Sequence, residues 1–230
     1  MSPRALFCKI LLLLLVVAPF ATADTLNLAG SMNLSSSAMN FVGPALAVPT
    51  IDGIFAPIAP GTTGTFHNLA VAGQPVGSFS AYDFLDLAGF TFNLTSILPG
   101  TFSSAACSTL PPAAGQTCTP NVANSYESAL NLTNTSANAF TLNFAFAGTV
   151  TTPSNTTSGF NGILNSQFVG FSYQDLLNTL NAGGQEPVSF SITITTTPDT
   201  APAVPEPSSL ALLGSGLAGL AGTLRRKFKR

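Results

Sequence analysis

Carboxylates are the reactive groups of the central chain, and they are few. Residues 24–199 hold Asp24, Asp52, Asp83, Asp86, Glu127, Asp175, Glu186 and Asp199. Asp83 and Asp86, three apart, are the closest pair. Oxygen ligands suit a hard cation such as calcium, but the spacing of an EF-hand loop is absent. No metal site is therefore read from the sequence. If one exists, Asp83 and Asp86 are its candidates and calcium is its ion. A glycosidase needs two carboxylates facing each other across a sugar. Asp83, Asp86 and Glu127 are the residues such an enzyme would use, yet the chain has no Trp on which a sugar ring would stack. His67 is the single histidine. A Ser-His-Asp triad would have to use it, and Thr65-Phe66-His67-Asn68 has no nucleophile elbow beside it. It reads as a surface or turn residue. Zinc would want more imidazole or thiolate than this. No catalytic residue is named, and the chain reads as non-enzymatic.

Cysteine chemistry points to a cross-link. Cys8 lies in the first apolar segment, which leaves Cys107 and Cys118 in the body. Between them Pro111, Pro112 and Gly115 can turn the chain. In an oxidising compartment the expectation is a Cys107–Cys118 disulfide. Closing so short a loop stabilises by roughly 3 kcal/mol on the chain-entropy account. The rival, a metal or redox pair, lacks close spacing and a nearby histidine.

Charge is distributed unevenly. All seven Lys and Arg lie at the ends, as Arg4, Lys9, Arg225, Arg226, Lys227, Lys229 and Arg230. The body has none. It has no means of neutralising phosphate, which argues against nucleic acid and anionic lipid surfaces as partners. No arginine clamp is available for a carboxylate or phosphoryl substrate. Ser, Thr, Asn, Gly and Ala dominate, with Phe as the main large apolar residue. Such a surface suits a neutral polysaccharide neighbourhood.

These residues must be positioned by strands. Leu26/Leu28, Met32/Leu34, Phe90/Phe92/Leu94, Leu130/Leu132, Phe140/Leu142/Phe144/Phe146 and Phe190/Ile192/Ile194 alternate with polar residues. Period-two patterning in β-branched and aromatic company predicts half-buried strands. Residues 130–150 predict a hairpin around the turn at 134–138. Residues 82–87 read as either a turn of helix or a strand. One helix is expected over 172–183, capped by Ser172, with Asp175 in its first turn and Gly183 at its end. The fold class is all-β: an antiparallel β-sandwich or jelly-roll-like body with one or two short helices. Residues 195–207 read as an extended linker, with its final part, 200–207, joining the body to the tail.

The ends carry targeting signals. A basic n-region, an apolar run over 10–20 and the small pair Ala21 and Ala23 before Asp24 form a secretory signal peptide over 1–23. Signal peptidase would leave Asp24 as the first mature residue. The body then spans 24–199. At the other end an uncharged apolar segment over 208–224 predicts a transmembrane helix about 25 Å long. The basic cluster Arg225, Arg226, Lys227, Lys229 and Arg230 places residues 225–230 on the cytoplasmic side of the inner membrane.

Pro205-Glu206-Pro207, the Gly/Ala/Leu span 210–222 and the terminal basic cluster occur in that order at the C-terminus. This tail resembles the PEP-CTERM sorting signal of Gram-negative bacteria. The resemblance covers 204–230 and leaves the body's fold open. It implies recognition by an exosortase at Pro205, Glu206 and Pro207, and a bacterium that makes extracellular polysaccharide. The reading is an exported, non-enzymatic cell-surface or extracellular-matrix protein, transiently anchored in the inner membrane and associated with exopolysaccharide or biofilm. A carbohydrate- or calcium-binding lectin-like module is the first alternative, and a secreted hydrolase the second.

Overall fold

The computed structural model describes residues 23–49, 53–197 and 215. The signal peptide before Ala23, the sorting motif, the apolar span and the basic cluster lie outside the described residues. So does nearly all of the predicted linker. Among the described residues no helix is long and apolar enough to cross a membrane.

Eleven strands run through the described residues: β1 (Thr25–Leu34), β2 (Ala38–Pro49), β3 (Thr63–Phe66), β4 (Leu69–Ala70), β5 (Gly77–Leu87), β6 (Phe90–Ile97), β7 (Thr117–Cys118), β8 (Leu130–Ser136), β9 (Ala139–Thr151), β10 (Thr157–Val169) and β11 (Glu186–Thr196). The helix α1 (Tyr173–Asn181) joins the last two. Every strand pairing is antiparallel.

The all-β expectation holds, and the architecture is more specific than the sandwich or jelly roll expected. The order β10-β11-β1-β2-β3-β5-β6-β9 returns to β10, so eight strands close into a barrel. Closure runs through β9. One edge of β9 pairs with β10 along its whole length. The other edge is shared: residues 139–144 pair with β8 and residues 146–151 with β6. A sandwich would leave sheet edges unpaired; this ring removes them. Strand β8 and its partner β7 extend from β9, and β4 pairs with β2.

The alternations seen in the sequence point inward. Leu26, Leu28, Phe92, Leu94, Leu142, Phe144, Ile192 and Ile194 are buried, while Asn27, Asn93, Asn143 and Thr193 between them lie outside. The outer face is built of hydroxyls and amides, as in the Thr193–Asn27 hydrogen bond of 2.9 Å. This apolar-in, polar-out order is the reverse of a lipid-facing barrel. Phenylalanines fill the interior, and glycines opposite them make the room. The Phe190 ring covers its cross-strand partner Gly30, and the Phe146 ring covers Gly162. Aromatic cover of a strand glycine is one way a curved sheet keeps its register.

The predicted hairpin is β8–β9, turning at Ala137-Asn138. Helix α1 is capped as expected. Ser172 and Asp175 form a reciprocal capping box, and Gly183 has φ +77°. Residues 82–87 are strand, within β5. The linker begins later than expected, because Thr195 and Thr196 still pair within β11.

Candidate functional site

The reactive residues of the body fall into two places. The first is on the outer wall, where β3 meets β5. In a regular strand Asp83 and Asp86, three apart, would face opposite sides. A bulge prevents this. Asp83 pairs with Asn93 and Leu85 with Phe92, so Phe84 is an extra residue in β5. Phe84 and Leu85 both turn inward, and Asp86 returns to the same outer face as Asp83. Bulges commonly re-aim side chains in this way. The backbone of His67, just past β3, donates to the Phe84 carbonyl at 2.9 Å. Its imidazole thus arrives beside both carboxylates.

The ligand atoms of His67, Asp83 and Asp86 lie within 4.8 Å of one another. His67 Nε2 is 3.4 Å from Asp86 Oδ2, and the two side chains are 39% and 52% exposed. Thr91 Oγ1 donates to the other Asp86 oxygen, Oδ1, at 3.4 Å. Asp83 is half-buried. Its Oδ1 is sealed from solvent and receives no hydrogen bond. The sequence reading found the two aspartates and missed the histidine. The bulge that brings the three together leaves no period in the sequence, although the Tyr-Asp-Phe-Leu-Asp-Leu run does not fit strict alternation.

The second place is around the disulfide. Cys107 and Cys118 are bonded, with Cα atoms 5.0 Å apart. Helix α1 packs over this loop. Tyr173 Oη donates to the Ala106 carbonyl at 2.8 Å, and Gln174 Nε2 to the Thr109 carbonyl at 3.0 Å. Asn134, fully buried, donates to Gln174 Oε1 at 2.9 Å and accepts from the Tyr173 amide at 3.1 Å. That amide network uses the side chain of one Asn-x-Ser/Thr sequence for structure.

Beside the disulfide lies a cavity of about 440 Å³, lined by Ser104, Asn121, Glu127, Leu177, Asn178 and Asn181 among others. Glu127 is 2% exposed. Its Oε1 accepts from Ser125 Oγ at 3.3 Å, while Oε2 has no partner. Burial pushes its carboxyl above the ordinary glutamate range, and the Ser125 bond offsets part of that rise. Three further carboxylates among the described residues lie elsewhere. Asp175 sits in the capping box, where the Ser172 amide and hydroxyl hold its carboxyl below the usual range. Asp24 Oδ2 accepts from the Ile54 amide at 3.0 Å. Glu186 begins β11.

Of the expected signal-cleavage residues, Ala21 lies outside the described residues and Ala23 is exposed. Among the described residues Asp24 is the first tied into the barrel. Its amide donates to Thr196 Oγ1 at 2.9 Å, and its carbonyl accepts from the Thr196 amide at 2.8 Å. The predicted mature start therefore adjoins the beginning of β1.

Residues 203–227 match the family model of the PEP-CTERM protein-sorting motif. That span contains Pro205, Glu206 and Pro207 and reaches into the basic cluster. No curated protein and no solved structure matches the chain.

Proposed function

We propose that this chain, whose tail carries the PEP-CTERM sorting motif, is an exported substrate of an exosortase, displayed at the cell surface or released into the extracellular matrix. The motif at 203–227 is the observation that carries the reading. Signal peptidase removes residues 1–23. Residues 208–224 hold the protein in the inner membrane, with Arg225 to Arg230 on the cytoplasmic side, until the exosortase acts at Pro205-Glu206-Pro207. The barrel serves without catalysis, in contact with exopolysaccharide or biofilm. Two features support that last step. The outer wall is rich in Thr, Ser and Asn, and the body has no Lys or Arg. Glu127, Asp175 and Glu186 stand on other elements than the Asp83–Asp86 pair, in a short turn of helix, in α1 and at the start of β11.

Expression in hosts with and without an exosortase, followed by intact-mass measurement, tests the reading. The expected product begins at Asp24, carries the disulfide and ends near Pro207 only where the exosortase is present. A product that keeps residues 208–230 in both hosts would reduce the tail to an ordinary anchor. Turnover of a glycan by the purified protein would remove the non-enzymatic assignment.

One observation favours a second reading, a glycan-binding module. The cavity beside the disulfide combines the amides of Asn121, Asn178 and Asn181 with the apolar side chain of Leu177. Neutral sugars are held by such mixtures of amide hydrogen bonds and apolar contact. A glycan array probed with the protein and with Asn178→Ala separates the two readings: binding lost in the variant selects the module.

A further inference from the structure

The seam that holds His67, Asp83 and Asp86 is the shortest part of the barrel wall. Strand β3 meets β2 through Ala45↔Gly64 and Leu46↔Thr63, and meets β5 through Thr65↔Asp86 and Phe66↔Leu85. The three side chains span the second of these junctions on its solvent side.

We propose that His67, Asp83 and Asp86 form a divalent transition-metal site, of the zinc class, that clips β3 to β5. Four observations carry this. First, the donor set is one imidazole nitrogen and two carboxylates. Imidazole selects zinc and its neighbours over calcium and magnesium, which take oxygen alone. Second, the His67 Nε2 to Asp86 Oδ2 distance is 3.4 Å. Two ligands of a tetrahedral zinc, each bonded at about 2.0–2.1 Å, stand about 3.4 Å apart. Third, Asp83 has a sealed oxygen without a hydrogen-bond donor. The body has no Lys or Arg to neutralise it. A buried carboxylate oxygen without a donor is costly, and a cation held by the Asp83 carboxylate lowers that cost. Fourth, the hydrogen bond from Thr91 to Asp86 Oδ1 leaves Oδ2 turned toward His67. An outer hydrogen bond that orients a ligating carboxylate is a regular part of metal centres.

Three protein ligands leave a coordination position for water. Among the described residues this is the one group of three or more His, Cys, Asp or Glu side chains close enough to share an ion. A plain His67–Asp86 ion pair is the competing account. An ion pair this exposed contributes little, and it leaves the Asp83 oxygen without a partner.

The test uses the full chain, untagged, in detergent and stripped with chelator. Calorimetric titration with Zn²⁺ is expected to give one ion per chain, and Co²⁺ to give the visible absorption bands of a low-coordinate site. Ca²⁺ at equal concentration is expected not to compete. His67→Ala and Asp86→Asn are each expected to weaken Zn²⁺ binding by at least about 10-fold. Glu186→Gln is expected to leave it unchanged. Saturating Zn²⁺ should raise the melting temperature by roughly 5 °C or more in the native protein and not in His67→Ala. Far-UV circular dichroism checks that His67→Ala is folded, and His67→Gln serves if it is not. Absence of saturable Zn²⁺ binding overturns the proposal. So does equal binding by the folded histidine variant, or displacement of Zn²⁺ by Ca²⁺.

Discussion

The β9–β10 seam and the seam running from β2 through β3 to β5 close the same barrel by different means. Strands β9 and β10 pair without interruption from Ala139↔Val169 to Thr151↔Thr157. Phe140 and Phe168 sit opposite each other there, with ring centroids 4.3 Å apart. The ladder does the holding, and the side chains follow it. On the far side β3 offers only short ladders. Rings take over: Phe66 lies 4.6 Å from Phe41, 5.0 Å from Phe84 and 5.8 Å from Phe190. Where backbone pairing is short, aromatic packing inside the wall covers the junction. Long strands make a seam that tolerates its side chains; a short strand makes its side chains indispensable.

Substitutions can break or sharpen this contrast. The largest effect is expected at Gly148 of β9, on the edge that faces β6. A Cβ there would fall on the Asn93 carbonyl of β6, beside the bulge between Leu94 and Ser96. Gly148→Ala is expected to cost about 5 kcal/mol or to prevent folding. Urea unfolding measures it, and a loss under about 1 kcal/mol would show that the ladder yields where we take it to be rigid. Next comes Phe66→Ala on the ring-held side, expected to cost about 4 kcal/mol. If Phe168→Ala on the long seam costs as much, the two seams do not differ in kind.

A third change touches neither seam and supplies a reference. Replacing Cys107 and Cys118 together with Ser is expected to cost roughly 3 kcal/mol, as a short closed loop predicts. Amide hydrogen exchange should remain slower in the β9–β10 ladder than in β3 after this change.

The smallest expected effect has the opposite sign. Glu127 has its carboxyl raised by burial, so the folded state keeps its proton to higher pH than the unfolded chain. Stability then falls as pH climbs from about the model-peptide value of a glutamate through the raised folded value. Glu127→Gln should abolish that fall and raise neutral-pH stability by roughly 2 kcal/mol, since a buried oxygen no longer carries unpaired charge. Asp175, held low by Ser172, works in reverse: its contribution is present at neutral pH and is lost as pH drops through its folded value. Thermal melts across pH distinguish the two.

What could be read in advance follows the same division. The long strands announce themselves, because Phe140-Leu142-Phe144-Phe146 and Phe190-Ile192-Ile194 alternate over enough residues to fix a period. The helix was legible because Ser172, Asp175 and Gly183 are local signals with local consequences. Strands β2 and β10 were not read. Gly43-Pro44 interrupts one, and small residues such as Gly159, Gly162 and Ser166 dilute the other. Ring closure was illegible for a different reason. It rests on pairings such as Thr25↔Thr195 and Thr91↔Thr151, which join distant residues and leave no trace in any local pattern. The candidate site was half legible. Asp83 and Asp86 were named, but their common face needs the Phe84 bulge, and His67 joins them only through the β3–β5 pairing.

Strand β11 has a mechanical consequence. It lies inside the ring, paired along one edge with β1 from Leu34↔Glu186 to Thr25↔Thr195 and along the other with β10 from Phe160↔Thr196 to Asn165↔Ser191. Traction applied to the chain beyond Thr196 enters the barrel through this strand. It cannot peel β11 from a free edge one bond at a time; it must slide two ladders at once. The Asp24 to Thr196 hydrogen bonds add a clasp at the point of entry. A load that enters at the C-terminal end of the barrel therefore meets both ladders of β11 and the Asp24 clasp together.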